Sequence, residues 1–239
     1  NELFQFSSNF RRPYEEEYKR LENLEMDWDD HKRFVELCKA NHLVPMTTCF
    51  THDTLDSIQE CGFEVIKIAS YDCASHELIK RAKDKFKNIF ISTGATYDYE
   101  IIKTADIMRG ENYTFMHCVT LYPLNPANAN LNRILWLKDL NSSVGYSDHS
   151  NSEVDGLQTI LASIYMGADS VECHFTILDK SQTKDGKVSI SPSQLRKISQ
   201  FVLLNRRDQL DYLDNNFKNW RLVLGEKNCQ LSLEELKNR

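Results

Sequence analysis

Four short strings in this chain place metal-capable, acid–base or anion-binding side chains at alternating positions. They are Val65-Ile66-Lys67-Ile68-Ala69, His117-Cys118, Tyr146-Ser147-Asp148-His149 and Val171-Glu172-Cys173-His174. Side chains alternate along a strand, so Glu172 and His174 share one side while Cys173 takes the other, and Ser147 pairs with His149 in the same way. If the polar set faces inward, two neighbouring strands deliver two imidazoles, a carboxylate and a hydroxyl to one place. Two neutral imidazoles with open, water-filled positions suit a catalytic divalent ion, Mn²⁺ first and Mg²⁺ as the alternative, better than closed structural zinc. A lone histidine in an apolar strand is more often a hydrogen-bonded core residue; it is their joint occurrence at consecutive strand ends that carries the metal reading.

Lys67 lies inside an apolar run, where an ammonium is costly to bury without an anion or a carboxylate partner. A substrate phosphate or carboxylate is one partner, with Thr48 and Ser70 as hydroxyl donors to the same anion. Pairing with Glu172, or snorkelling to water, is the structural alternative.

The elements that must hold these groups follow from periodicity. Apolar, β-branched runs recur at Leu43–Thr48, Glu64–Ala69, Asn88–Ser92, Tyr113–Cys118, Ser143–Tyr146 and Ser170–His174, with Glu2–Phe6 as a candidate seventh. Between them, segments such as Asp29–Asn41, Thr54–Cys61, Ser75–Phe86, Tyr99–Met108 and Glu153–Met166 carry apolar residues at helical spacing. This is the alternation of parallel β/α units. Gly62 and Gly167 fit left-handed helix ends, and Ser150 to Glu153 has capping-box spacing. Ser193–Leu213 and Leu231–Lys237 read as amphipathic packing helices, and the charge-rich Arg11–Glu25 as a solvated face or rim. Because almost every strand ends in hydroxyl, charged or imidazole residues, a barrel that gathers all strand ends at one mouth is expected over an open sheet. The expectation is therefore a single-domain (β/α)₈ TIM barrel over residues 1–239, lacking its first β/α unit.

The 239 residues carry 29 basic and 35 acidic side chains, a formal net charge of −6, with 41% hydrophobic residues. That composition is globular and offers no basic footprint for nucleic acid or an anionic membrane. No stretch approaches the ~18 apolar residues of a membrane span, and no signal-like start is present. The seven cysteines are odd in number and show no CxxC pair, which reads as reduced thiols in a cytoplasmic protein.

Six strings taken in order, Lys67-Ile-Ala-Ser70, Ser92-Thr-Gly94, His117-Cys-Val-Thr-Leu-Tyr-Pro123, Gly145-Tyr-Ser-Asp-His149, Glu172-Cys-His-Phe-Thr176 and Asp185 to Pro192, resemble the sialic acid synthase family. Its relatives include legionaminate and pseudaminate synthases and spore-coat polysaccharide proteins. The resemblance runs from about Gln5 to Gly225. It implies a metal-dependent (β/α)₈ barrel that condenses phosphoenolpyruvate with an N-acylated amino sugar of the N-acetylmannosamine type, releasing phosphate, as a homodimer. By position it implies that His149 and His174 hold the metal and that Glu172 acts beside the reacting groups. Thr48, Lys67, Ser70 and Ser147 would hold phosphoenolpyruvate, while Asp72, Tyr122, Asp185 and Gln5 would orient the sugar.

The chain departs from the family pattern at Leu3, where a phosphate-contacting lysine is usual, at Thr120 in place of asparagine, at Asp72 in place of glutamate, and in about four extra residues between His149 and His174. The family's small C-terminal antifreeze-like domain has no counterpart before Arg239. These departures keep two other readings open: an impaired barrel serving as a binding or assembly subunit in surface polysaccharide synthesis, and a metal-dependent aldolase using another enol donor.

Overall fold

The computed structural model describes residues 14–228 and 230–237. Helices α1 (Tyr14–Glu22) and α2 (Trp28–Ala40) precede the first strand, β1 (Met46–Thr48). From there the chain alternates: α3 (Leu55–Glu60), β2 (Val65–Ile68), α4 (His76–Lys83), β3 (Asn88–Ser92), α5 (Asp98–Ile107), β4 (Tyr113–Cys118), α6 (Arg133–Lys138), β5 (Val144–Asp148), α7 (Gln158–Tyr165) and β6 (Ser170–Cys173). Helices α8 (Pro192–Val202), α9 (Arg206–Asn216) and α10 (Leu233–Lys237) follow. The six strands form one parallel sheet in sequential order, β1 to β6.

The register divides the sheet into two chemically different faces. Residues in register across parallel strands point the same way, so the rows Thr48/Lys67 and Cys118/Ser147/Glu172 share one face. The opposite face carries Ile66, Ile68, Ile89, Ile91, Phe115, Val144 and Tyr146, all fully buried with the apolar sides of the helices. The hydrophobic core therefore lies between sheet and helices, and the other face is left to polar side chains.

That polar face is concave. Lys67 on β2 donates to Glu172 on β6 at 2.9 Å although the two strands stand four positions apart. In a flat sheet that separation would be about 19 Å, beyond the reach of both side chains. The sheet must curl around the pair.

The structure corrects the expected layout at several points. The six runs expected from Leu43 onward all form strands and make a curled half-barrel, with β1 and β6 as its edges among the described residues, while the candidate strand Glu2–Phe6 lies outside those residues. β1 begins three residues late because the Leu43 N–H is spent on the Cys38 carbonyl at the end of α2 (2.9 Å). The proposed capping box at Ser150 to Glu153 does not form. The Ser150 hydroxyl and N–H both donate to Asp148 (2.7 and 3.2 Å), Asn151 takes the Glu153 N–H, and α7 starts only at Gln158. A capping box does open α8, from Ser191 to Gln194, with Pro192 in its first turn. Asn205 starts α9 by accepting from Arg207 and Asp208 N–H, which splits the expected 193–213 helix in two. Gly62 and Gly167 take φ of +92° and +93°, as helix-terminating glycines should.

Candidate active site

The concave face ends at the C-terminal rim of the strands, and the expected residues gather there. His149 follows β5 directly and is buried, its Nδ1 facing the Val119 carbonyl at 2.9 Å. Burial lowers its pKa, so the ring is neutral at pH 7. His174 follows β6, with Nδ1 3.7 Å from an Asp185 carboxylate oxygen. The two rings stand 5.6 Å apart between centroids. Tyr122 lies against His149 at 3.9 Å and meets His174 edge-on at 5.9 Å, so three rings and Asp185 form one cluster.

The second half of the cup is charged. Lys67, only 12% exposed, holds Glu172, whose side chain is 37% exposed and so still faces solvent. The structural alternative for Lys67 is thus the resting arrangement, and it places the ammonium in the cup. Ser147 is buried in register with both Cys118 and Glu172. Thr48 is half-buried at the end of β1, in register with Lys67. Ser70 opens the turn after β2 and meets the Cys118 sulfur at 3.3 Å. Gly94 is required beside them: a Cβ there would sit 2.7 Å from Cys118 Sγ and 3.0 Å from Ser70 Oγ.

Two expected residues stand apart, and a third lies outside the described residues. Asp72 accepts from the Ser75 hydroxyl at 2.9 Å, with burial raising its pKa, and makes no described contact with the cluster. Gln5 lies outside the described residues, as does Leu3. His117, grouped by its position with the strand-end polar residues, points to the helix side instead. Its Nε2 contacts the Ala129 carbonyl at 2.7 Å, and burial beside Arg133 pushes its pKa down to about 4.

Sequence reasoning passed over Cys118. Its thiol is held neutral, pushed up to about 11 by burial despite the Ser70 hydrogen bond and the nearby Lys67 ammonium. With His117 grouped among the inward polar residues, alternation turns Cys118 outward; the His117–Ala129 contact reverses both. The Val119 carbonyl that orients His149 has no sequence signature at all.

The donor set fits a divalent ion in one specific respect. His149 has Nδ1 hydrogen-bonded to a backbone carbonyl, which leaves its Nε2 free to ligate, whereas the His174 Nδ1 stands 3.7 Å from the Asp185 carboxylate, beyond hydrogen-bond distance. Among the described residues no group of three or more His, Cys, Asp or Glu side chains is arranged to hold an ion. Two imidazoles would be the protein side of such a site, with the remaining positions open to water or substrate oxygens.

Residues 2–206 match the NeuB family. The chain belongs to that family. It is 31% identical over 192 residues to N-acetylneuraminate-9-phosphate synthase of Drosophila melanogaster, covering 73% of this chain and 50% of that protein. It is 29% identical over 190 residues to N,N'-diacetyllegionaminic acid synthase of Campylobacter jejuni, covering 77% and 56%. The chain thus spans about half the length of the curated relatives it matches. The crystal structure of N-acetylneuraminic acid (sialic acid) synthetase from Leptospira borgpetersenii superposes with a TM-score of 0.73 at 25% identity, over 95% of this chain and 74% of that one. Among the described residues no helix is long and apolar enough to cross a membrane.

Proposed function

We propose that this NeuB-family chain condenses phosphoenolpyruvate with an N-acylated amino sugar, forming a nonulosonic acid and releasing phosphate, and that its curled sheet is the greater part of a (β/α)₈ barrel. The observation that carries the reading is the convergence of His149, His174 and Tyr122 with the Lys67–Glu172 pair on one concave face.

Lys67 is the cation that this cup offers to an anion. A phosphate arriving there exchanges for Glu172 as the partner of the ammonium, and Thr48, Ser70 and Ser147 add hydroxyl donors around it. The exchange frees the Glu172 carboxylate beside the reacting atoms, where it takes or returns a proton. Asp185 and the Tyr122 hydroxyl orient sugar hydroxyls, and the neutral ring of His149 offers Nε2 to an ion. A divalent ion bound there, Mn²⁺ before Mg²⁺, would act as a Lewis acid on the open-chain aldehyde. In the balanced reaction the enolpyruvate methylene carbon bonds to the aldehyde carbon, whose oxygen is protonated. Water adds to the resulting cationic carbon and phosphate departs.

The test is a coupled phosphate-release assay over a panel of N-acylated hexosamines, with and without Mn²⁺. Release that requires both phosphoenolpyruvate and a sugar supports the synthase. Binding of the ion and of both substrates without release identifies instead an impaired barrel, a binding or assembly subunit, for which the Glu172 pairing of Lys67 and the substitution at Leu3 speak. Product without phosphate would point to an aldolase.

A further inference from the structure

Ser152, three residues beyond His149 in the chain between β5 and α7, is 3% exposed and is gripped by the segment that joins β6 to α8. Its hydroxyl donates to the Ser189 carbonyl at 2.7 Å and accepts from the Lys180 ammonium at 2.6 Å. Its carbonyl accepts from the side-chain amide of Gln194, in the first turn of α8, at 2.9 Å. The gripped segment carries Asp185, whose carboxylate stands 3.7 Å from His174 Nδ1. The loops that follow the two imidazoles are thus tied together at one buried hydroxyl.

From Ser152 the contacts run on toward the cup. The hydroxyl of Ser189, itself buried, donates to the Asp185 carbonyl at 2.9 Å. Ile190 N–H donates to the His174 carbonyl at 2.7 Å and Thr176 N–H to the Ile190 carbonyl at 3.1 Å, which closes the two ends of the loop beside His174. Next to Asp185 the loop folds back so tightly that a Cβ on Gly186 would sit 1.8 Å from the Lys180 carbonyl oxygen. The Asp185 side chain is 52% exposed, so its direction is set by its backbone more than by packing around the carboxylate.

Lys180 makes the junction directional. An ammonium only donates and a hydroxyl has a single hydrogen, so with Lys180 on its oxygen Ser152 gives that hydrogen to Ser189. The Lys180 side chain is 17% exposed, and the carboxylate described beside it, Glu153, stands 3.5 Å away and is itself well exposed. A charge kept largely from water costs stability that an apolar side chain would not. In return, a charge-assisted bond holds the serine oxygen roughly twice as strongly as a neutral one.

We propose that Ser152 and Lys180 are positioning residues of the cup, which through Ser189 set where the Asp185 carboxylate stands against His174. They act through Asp185 and not on substrate. The inference deepens the condensation reading, on which its kinetic consequence rests. In that reading Asp185 orients the sugar, whereas phosphoenolpyruvate is held chiefly at Lys67 on β2, which makes no described contact with Ser152, Lys180 or Ser189.

The experiment has two readouts on the full chain. The first needs neither metal nor substrate: the histidine ring Cε1–H signals in proton–carbon NMR at one fixed pH, assigned with His117→Gln, His149→Gln and His174→Gln. Ser152→Ala and Lys180→Met, which keeps the length of the side chain without its charge, should each displace the His174 signal. The signal of His117, on the outer face, should stay in place. The second readout is kinetic. Both variants should raise the KM for the most active hexosamine of the phosphate-release panel about tenfold, while that for phosphoenolpyruvate stays within about twofold. Far-UV circular dichroism checks folding, and should Ser152→Ala unfold, the more exposed Lys180→Met decides. A His174 signal unmoved in a folded variant overturns the proposal, and so does an equal rise in both KM values. A chain inactive across the whole panel refutes the condensation reading instead, and the NMR readout then decides this proposal alone.

Discussion

Along β5 and the residue after it, Tyr146 and Asp148 point into the layer beneath α7, whereas Ser147 and His149 point into the cup, and folding satisfies the two sets in opposite ways. The outer carboxylate of Asp148 is 2% exposed and receives the Tyr146 hydroxyl (3.0 Å), the Thr159 hydroxyl (2.7 Å) and both the N–H and hydroxyl of Ser150. A buried charge so surrounded is fully committed to structure. One residue further on, His149 is nearly as buried, yet only its Nδ1 faces a described partner. The difference teaches that burial alone does not tell a structural residue from a candidate site residue; how far its polar atoms are already used within the fold is the second thing to ask.

The comparison is tested most severely by removing one residue from each side. His149→Ala should lower metal affinity and turnover by at least about 100-fold, the scale on which even outer partners of metal ligands matter, while shifting stability by only about 1 kcal/mol. Asp148→Ala should do the reverse. With four side-chain or backbone donors deprived of their acceptor in the core, it should cost about 3 kcal/mol or more, read as a lowered urea midpoint, with activity per folded molecule retained. Equal stability losses in the two variants would erase the distinction.

His117 sharpens the same contrast on β4, because it is an imidazole on the structural side. Its folded pKa of about 4 lies below the unfolded value near 6.5, so the unfolded chain binds more protons between those limits. The stability that the neutral ring contributes is present above pH 6.5 and is lost as pH falls toward 4, by at most about 3 kcal/mol. The groups facing it are Arg133, which adds to the depression, and Asp98, which pairs with that arginine. Urea unfolding of the unmodified chain and of His117→Gln across this window should show the acid-side slope reduced in the variant. Parallel slopes would mean that the ring takes up its proton without cost.

Much of this was legible in the sequence, for reasons particular elements make plain. β3 and β4 match their expected bounds to the residue, since Asn88–Ser92 and Tyr113–Cys118 are apolar runs enclosed by helices on one side and neighbouring strands on both edges. The pairing of Glu172 with His174 and of Ser147 with His149 followed from alternation alone. What escaped was everything set by distance through space. The Lys67–Glu172 bond, which joins residues 105 apart, is one of two structural alternatives for the lysine that only the curl of the sheet decides between; the start of α7 depends on Asp148 taking Ser150 from its cap, and Cys118 gains its place from Ser70 and Gly94 on two other strands' turns. Local pattern names the face of a strand; only the curl of the sheet decides which faces meet.

The Lys67–Glu172 pair carries the smallest expected effect, because it is where the cup most resembles a structural site. With Glu172 37% exposed, the bond adds under about 1 kcal/mol to stability, so Lys67→Ala should unfold at nearly the same urea concentration as the unmodified chain. Its effect should fall on substrate. A lost charged hydrogen bond to phosphate is worth about 1.5–3 kcal/mol, or roughly 10 to 100-fold, and should appear in the KM for phosphoenolpyruvate with the KM for the sugar unchanged. Lys67→Arg, which keeps the charge but not the point geometry, should recover part of that loss. If Lys67→Ala raises both constants equally, the ammonium holds the cup in shape and does not receive phosphate. If it instead lowers the urea midpoint as far as Asp148→Ala does, then the inner face is bound together by its charges just as the outer one is, and the distinction between the two sides of β5 does not extend to β2.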